Sequence, residues 1–299
     1  MAFLWLLYDI RTPFLDKLMQ FVTYFGQEII IIAVICALYW CTDKRFAYLL
    51  GFTYFTAGLG VQALKITFRI PRPWILNPSF SAVKSAVPAA TGYSFPSGHT
   101  QGATALYFPL ALKAKTPALR AVFVLAFLLV GFSRMYLGCH TPKDVLVSIT
   151  LTIGVSLIMW RFQSFLLDDS RYLKQIAAVL ALLSAAVAAY ALFLNHTGTI
   201  EAKYALDCCR ASGAGLGFCA GWYTERTYLN FSTRTRTLPG QFFKLAAGLL
   251  AAFVIKSSFS QFFGSSVLAK MAEYFILVLW VLVIYPYLFT KAAARKAAG

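Results

Sequence analysis

ALRAVFVLAFLLVGFSRMYLG (118–138), followed at once by CHTPKD (139–144), is the stretch on which the fold turns. The first part carries only Arg120 before Ser133-Arg134, and it is about as long as the roughly 20 residues a helix needs to cross a bilayer. A second apolar run, 145–163, begins directly after Asp144. The polar cluster between them therefore reads as a turn at one membrane surface with a spanning helix on each side.

The same pattern extends in both directions. Apolar runs at 26–41, 46–66, 98–115, 172–194, 207–223, 240–262 and 268–290 bring the expected count to about nine spans. The fold class this predicts is an all-α polytopic transmembrane helical bundle. Phe3 to Phe25 mixes Asp9, Arg11, Asp16 and Lys17 with aromatics, so the start is expected to be an amphipathic helix lying at the interface. Met1 to Tyr8 lacks a basic leader and a small-residue cleavage site, which argues against a removable signal peptide. The chain then divides into an interfacial segment (1–25), a helical core that holds the polar clusters (26–195), and additional transmembrane helices without a recognisable motif (196–299). In 207–223, Gly213, Gly217 and Gly221 recur every four residues, the spacing of close helix packing rather than of ligand binding.

Composition supports this class. Of 299 residues 60% are hydrophobic and 13% charged, which excludes a large soluble enzyme. The net charge of +16 would suggest nucleic-acid binding in a soluble domain, but no such motif accompanies it. Basic loops facing anionic headgroups account for the charge, and no nucleic-acid partner is expected. The six cysteines (36, 41, 139, 208, 209 and 219) form no C-x-x-C pair and read as buried small apolar residues, not as a zinc or redox site.

Three polar clusters interrupt the oily background. Lys65 ends an apolar run, and Arg72 stands between Pro71 and Pro73, which stiffen its backbone. Arginine can fork two donors onto a phosphate, while lysine adds a mobile charge. Taken alone, both read more simply as side chains snorkelling to the headgroups. Pro96-Ser97-Gly98-His99 opens the next run, where free amides and the helix dipole attract an anion and Gly98 lets backbone approach it. Ser97 alone reads as an N-cap. His99 is placed to donate or accept a proton near neutrality, although a lone membrane histidine is more often a packing residue. Ser133-Arg134 closes one run and His140 precedes the next, with Asp144 four residues on. Thr141, Pro142 and Asp144 also spell a helix start, with Thr141 as cap and Pro142 at the first helical position. That geometry also lets a carboxylate fix the tautomer of His140.

The order of the clusters is more specific than any one of them. Lys-x6-Arg-Pro, then Pro-Ser-Gly-His, then Ser-Arg-x5-His-x3-Asp resembles the signature of the type 2 phosphatidic acid phosphatase superfamily, with every position present from Lys65 to Asp144. The similarity runs from about the first span through the fifth or sixth. The resemblance implies a metal-independent phosphatase that needs no cofactor, on a helical bundle shared with soluble vanadium haloperoxidases. It implies His140 as the nucleophile forming a phosphohistidine, Asp144 as its orienter, and His99 as the acid for the leaving oxygen and then the base for water. Lys65, Arg72 and Arg134 would hold the phosphate oxygens, aided by Ser97 and the Gly98 amide. The expected partners are a lipid phosphate substrate and the bilayer itself, and a homo-oligomer stays open.

Phosphatidate, phosphatidylglycerophosphate and polyprenyl diphosphate all remain candidate substrates. A phosphatase or phosphotransferase for a soluble ester is the second enzymatic reading, and a non-enzymatic transporter is the third. Alternating spans along the chain put the N-terminus, the 67–97 loop and the 139–144 turn on one side. More basic residues then fall on the opposite face, Lys44, Arg45, Lys113, Lys115, Arg120, Arg234 and Arg236 among them. The positive-inside rule accordingly places the clusters outside the cytoplasm. Asn195-His196-Thr197 matches a glycosylation acceptor, and the third histidine lies outside every cluster.

Overall fold

The computed structural model describes residues 1–233 and 237–298, so Arg234 and Arg236 lie outside the described residues. Fourteen α-helices carry the described chain, and no strand occurs among the described residues. In chain order they are α1 (Ala2–Asp9), α2 (Pro13–Tyr24), α3 (Glu28–Ala37), α4 (Lys44–Phe68), α5 (Pro73–Leu76), α6 (Gly98–Lys113), α7 (Pro117–Tyr136), α8 (Pro142–Arg161), α9 (Gln163–Leu167), α10 (Leu173–His196), α11 (Ala202–Thr224), α12 (Leu238–Phe263), α13 (Val267–Leu279) and α14 (Tyr285–Ala298). Short π-helical turns follow α3, α11 and α13.

Every one of the expected apolar runs is helical, but fewer than nine are long and apolar enough to cross a membrane. Six qualify: 44–76, 117–136, 142–161, 173–196, 238–263 and 267–292. A seventh is added if α2 and α3, bent by 42°, count as one broken span. The runs at 98–115 and 207–223 fall short differently, α6 because it has only 16 residues and α11, at 23, because it is not apolar enough, but the two share a trait. Helices α6 and α11 are lined by buried residues over most of their length, many of them Gly, Ala, Ser, Thr or Cys. A helix enclosed by other helices presents small surfaces to its neighbours rather than large apolar ones to lipid. The expected single helix over Phe3–Phe25 is two helices, broken where Thr12 caps α2 through its side chain and Pro13 takes the first turn.

The chain forms two compact units, Met1–Ile32 with Thr56–Arg161 and Ala33–Phe55 with Phe162–Gly299. In the first, α6 packs on α7 and α8, and α2 packs on α7. Ser/Thr-Pro starts set the helix ends: Thr116 accepts from the Leu119 amide ahead of Pro117. The expected capping arrangement at α8 is present, with Asp144 Oδ2 accepting from the Thr141 amide at 2.8 Å and Thr141 Oγ1 accepting from the Asp144 amide at 3.4 Å. After α7 the chain turns through Gly138 at φ +76°, where a Cβ would sit 2.7 Å from Arg11 Nη2. Arg11 in turn donates to the Tyr136 and Ser81 carbonyls, at 3.0 and 2.6 Å, tying the N-terminal segment and the long loop to the end of α7. The loop itself is pinned by Val83 N–H to the Leu137 carbonyl and by Ser94 N–H to the Ile70 carbonyl.

In the second unit α11 packs on α10 and α13. The glycine repeat makes the close contact expected of it: a Cβ on Gly213 would lie 2.1 Å from the Met271 carbonyl oxygen, one on Gly217 2.6 Å from that of Phe275, and one on Gly221 2.8 Å from Leu282 Cβ. Two of these obstacles are backbone, which cannot swing aside. Gly213→Leu is expected to push α11 off α13 and destabilise the protein by about 1–3 kcal/mol or more, read as a lowered midpoint of thermal unfolding. The fully buried Glu225 carboxylate is matched by Lys44 Nζ at 2.8 Å, the Phe231 amide at 3.1 Å and the Tyr48 hydroxyl. Five of the six cysteines are buried as expected, Cys41 is half-buried, and all are free thiols.

Candidate functional site

One end of the first unit collects the end of α4, the long loop, the start of α6, the end of α7 and the start of α8. Each brings a residue of the polar clusters, and the packing buries them: Lys65, Arg72, Ser97, Arg134, His140 and Asp144 are all less than one-tenth exposed. Three cations and two imidazoles with one carboxylate in so little water is a costly arrangement, and its geometry accounts for how each group is held.

His140 sits in the turn between α7 and α8, with its amide and that of Cys139 donating to the Arg134 carbonyl at 3.3 and 3.0 Å. Its Nε2 lies 2.8 Å from Arg72 Nη1. A guanidinium has only donors, so Nε2 must accept here and the ring proton belongs on Nδ1. That proton faces Asp144 Oδ2 at 3.6 Å, a loose contact that a small ring shift would tighten. The same oxygen accepts from Ser94 Oγ at 2.6 Å and from the Thr141 amide at 2.8 Å, so the carboxylate is held from two further sides. Burial, followed by Arg72, Arg134, Lys65 and His99, pushes the His140 imidazole well below its usual value of 6.5. Its Nε2 lone pair is therefore retained into mildly acidic solution.

The cations differ in how far they are committed. Lys65 Nζ donates to the Tyr93 carbonyl at 2.8 Å. Arg72 spreads its donors over the carbonyls of Thr91 (2.6 Å), Gly92 (3.1 Å) and Cys139 (3.0 Å) besides His140. An anion at the His140 nitrogen must take over the Arg72 Nη1 contact. Arg134 is fully buried, and only its Nη1 is engaged, at 3.1 Å from Thr23 Oγ1. Its Nε and Nη2 have no hydrogen-bond partner among the described residues. His99 Nε2 is likewise buried and unpartnered.

Ser97 does act as the N-cap, accepting from the Thr100 amide and hydroxyl at 3.4 and 2.9 Å. Its own amide donates to the Asp144 carbonyl at 3.2 Å, and its carbonyl accepts from Ser148 Oγ at 2.9 Å, which locks the start of α6 onto α8. A Cβ built on Gly98 would meet nothing within 4 Å, so the backbone there borders open space beside the first amides of a helix. All eight candidate residues thus lie in one unit, at one end of it. His196 closes α10 in the other unit.

Sequence reading missed three supports. Ser94 stands two residues before the Pro96-Ser97-Gly98-His99 cluster and could have been noticed as part of it. The carbonyls of 91–93 that hold Lys65 and Arg72 have no side-chain signature. Thr23 is 111 positions from Arg134, in an aromatic segment with nothing local to single it out.

The family description "PAP2 superfamily" matches residues 46–168, and "PAP2 superfamily phosphatase, transmembrane extension" matches 209–297. The chain belongs to the PAP2 superfamily, the family its clusters resemble. Undecaprenyl-diphosphatase BcrC of Bacillus subtilis is 32% identical over 156 residues, covering 51% of this chain and 77% of that protein. Sphingosine-1-phosphate phosphatase 2 of Homo sapiens is 25% identical over 243 residues, covering 78% of this chain and 58% of that protein. The crystal structure of Aquifex aeolicus LpxE covers 54% of this chain and 93% of its own at 23% identity, with a TM-score of 0.46, too low to bear on the fold.

Proposed function

We propose that this integral membrane protein hydrolyses a lipid phosphate or lipid diphosphate through a phosphohistidine intermediate. The observation that carries the reading is the set of unsatisfied buried nitrogens, Arg134 Nε and Nη2 and His99 Nε2, in the same unit as a His140 whose Nε2 holds a lone pair. Leaving the guanidinium donors without partners costs roughly 1–3 kcal/mol each, more when charged, unless a ligand supplies the acceptors, and His99 Nε2 donates or accepts according to its protonation. A phosphoryl group has oxygens enough for all of them.

The steps follow from these positions. The phosphate displaces Arg72 Nη1 from His140, and Lys65, Arg72 and Arg134 take its non-bridging oxygens, with the Gly98 amide and Ser97 at the helix start. His140 Nε2 attacks phosphorus, the bond to the leaving oxygen breaks, and His99 gives that oxygen a proton. Asp144 stabilises the charge that appears on the His140 ring. His99 then removes a proton from water, the hydroxide attacks phosphorus, the P–N bond breaks and free phosphate leaves. Such a transfer rests on positioning and charge stabilisation, which is what three cations and a helix start supply.

A lipid substrate is favoured by the relatives, which act on an undecaprenyl diphosphate and a sphingosine phosphate by their names, and by the apolar outer side of α2. Phe14, Leu18 and Phe21 are exposed there, on the helix whose end contacts Arg134. We read residues 1–25 as the interfacial segment, 26–195 as the phosphatase core and 196–299 as further membrane helices. On this reading the 26–41 run and the enclosed helices α6 and α11 join the six long helices to make nine spans, and the site opens outside the cytoplasm. Phosphate release from purified protein over a panel of lipid phosphates and diphosphates and one soluble ester, with and without chelator and vanadate, tests the substrate class. Release from the soluble ester alone would overturn the lipid assignment.

The pH dependence follows from His140. Its folded value lies below 6.5, so the attacking free base persists below that pH and is lost only as acid protonates it. The acid limb of kcat/KM is expected below pH 6.5, measured with a phosphodiester-free diphosphate substrate whose own ionisation is titrated separately. A limb at or above the ordinary imidazole value would contradict the buried, cation-flanked site.

A further inference from the structure

We infer that α2, which precedes the 46–168 stretch matched by the family description, belongs to the phosphate site: Thr23 is a positioning residue that presents the guanidinium fork of Arg134 to the transferring group. The inference rests on the phosphatase reading above and goes beyond it, because no residue of this helix belongs to the three clusters.

Both side chains are essentially excluded from solvent, Thr23 at 1% and Arg134 at 0% exposure. Thr23 Oγ1 accepts from Arg134 Nη1 at 3.1 Å. The two remaining nitrogens, Nε and Nη2, form one edge of the guanidinium, the edge that grips an oxyanion with two parallel hydrogen bonds. They are also the two atoms without partners. A single bond at Nη1 is therefore what leaves the fork free and aimed. Arginine has a long flexible stem, and in a buried setting an unanchored head would turn to whichever carbonyl is near, as Arg72 does with the loop carbonyls. Threonine suits the task because its β-branch restricts χ1, so its oxygen is held in one direction.

A second contact from the same turn supports the assignment. Gly26 lies so close to the start of α6 that a Cβ would stand 2.8 Å from the His99 carbonyl oxygen and 2.6 Å from Val130 Cγ1. The Gly26 amide donates to the Thr23 carbonyl at 3.0 Å, so the two contacts share one rigid turn. The end of α2 thus backs both the Arg134 fork and the helix start that carries His99, the two places where buried nitrogens lack a partner.

The test is steady-state kinetics and vanadate inhibition of the full-length protein in detergent. Thr23→Val keeps the shape and removes the hydroxyl. A fork that matters most in the transition state predicts a kcat loss of about 10–100-fold with KM little changed, and a matching rise in the vanadate inhibition constant. Thr23→Ser restores both to within a few-fold. In an Arg134→Ala background Thr23→Val has no further effect, as a double-mutant cycle requires of a residue acting through its partner. If valine impairs folding, Thr23→Ala takes its place in the same cycle. Wild-type kcat and vanadate inhibition in the hydroxyl-free variant, or an equal loss in both backgrounds, would overturn this inference alone. Unchanged turnover by Arg134→Ala would instead remove the phosphate-clamp reading on which it rests.

Discussion

His140→Ala is expected to lower phosphate release by on the order of 10⁴–10⁶-fold, the size of loss that follows removal of a nucleophile acting in concert with its partners. The fold should survive. Arg72 keeps its bonds to the carbonyls of Thr91, Gly92 and Cys139, and Asp144 keeps those from Ser94 and Thr141. Thermal unfolding should therefore show only the modest change of a small buried void. Rapid quench with a labelled phosphoryl donor gives the complementary result: an acid-labile phosphoenzyme in the wild type, absent from the variant. Residual turnover within tenfold of wild type would remove the phosphohistidine mechanism.

Arg134→Met is expected to separate stability from activity. The guanidinium is fully buried, two of its nitrogens lack partners, and Lys65 and Arg72 are buried at the same end of the unit. Replacing a buried charge that has no carboxylate partner with an apolar side chain of similar length removes a desolvation cost and leaves only the Thr23 hydroxyl without its donor. The ligand-free variant should accordingly unfold at the same temperature as wild type or higher, while turnover falls by about 10²–10³-fold. Vanadate at 100 times its dissociation constant should stabilise the wild type by about 2.7 kcal/mol and the variant far less. A marked fall in the unfolding midpoint of ligand-free Arg134→Met would mean that the guanidinium serves the fold, and the argument from its empty fork would fail.

How much of this could be read beforehand differs between fold and site. The helices were legible because hydropathy over some twenty residues and a Thr-Pro start are local properties: Thr141-Pro142 begins a helix where expected. The number of membrane crossings was less so. An enclosed helix such as α6 or α11 is composed like its neighbours' interfaces, and its sequence does not say whether helices or lipid surround it. The N-terminal segment looked continuous because its apolar content is, yet the Thr12-Pro13 start breaks it.

The eight clustered residues were named from their order along the chain, and they do lie together at one end of a unit. Their individual states were mostly not foreseeable. That Arg72 contacts the imidazole nitrogen and that Ser94 braces Asp144 depend on how α4, the loop, α6 and α8 meet, whereas the Ser97 cap, a local feature, was legible beforehand. Chain order sets which chemical groups are available, because motifs and helix starts are written over a few neighbouring positions. Which donors are consumed and which stand open is a matter of packing between distant segments. Arg134 is the sharpest instance: its one anchored nitrogen answers to a threonine 111 positions away, a distance over which no local pattern carries information.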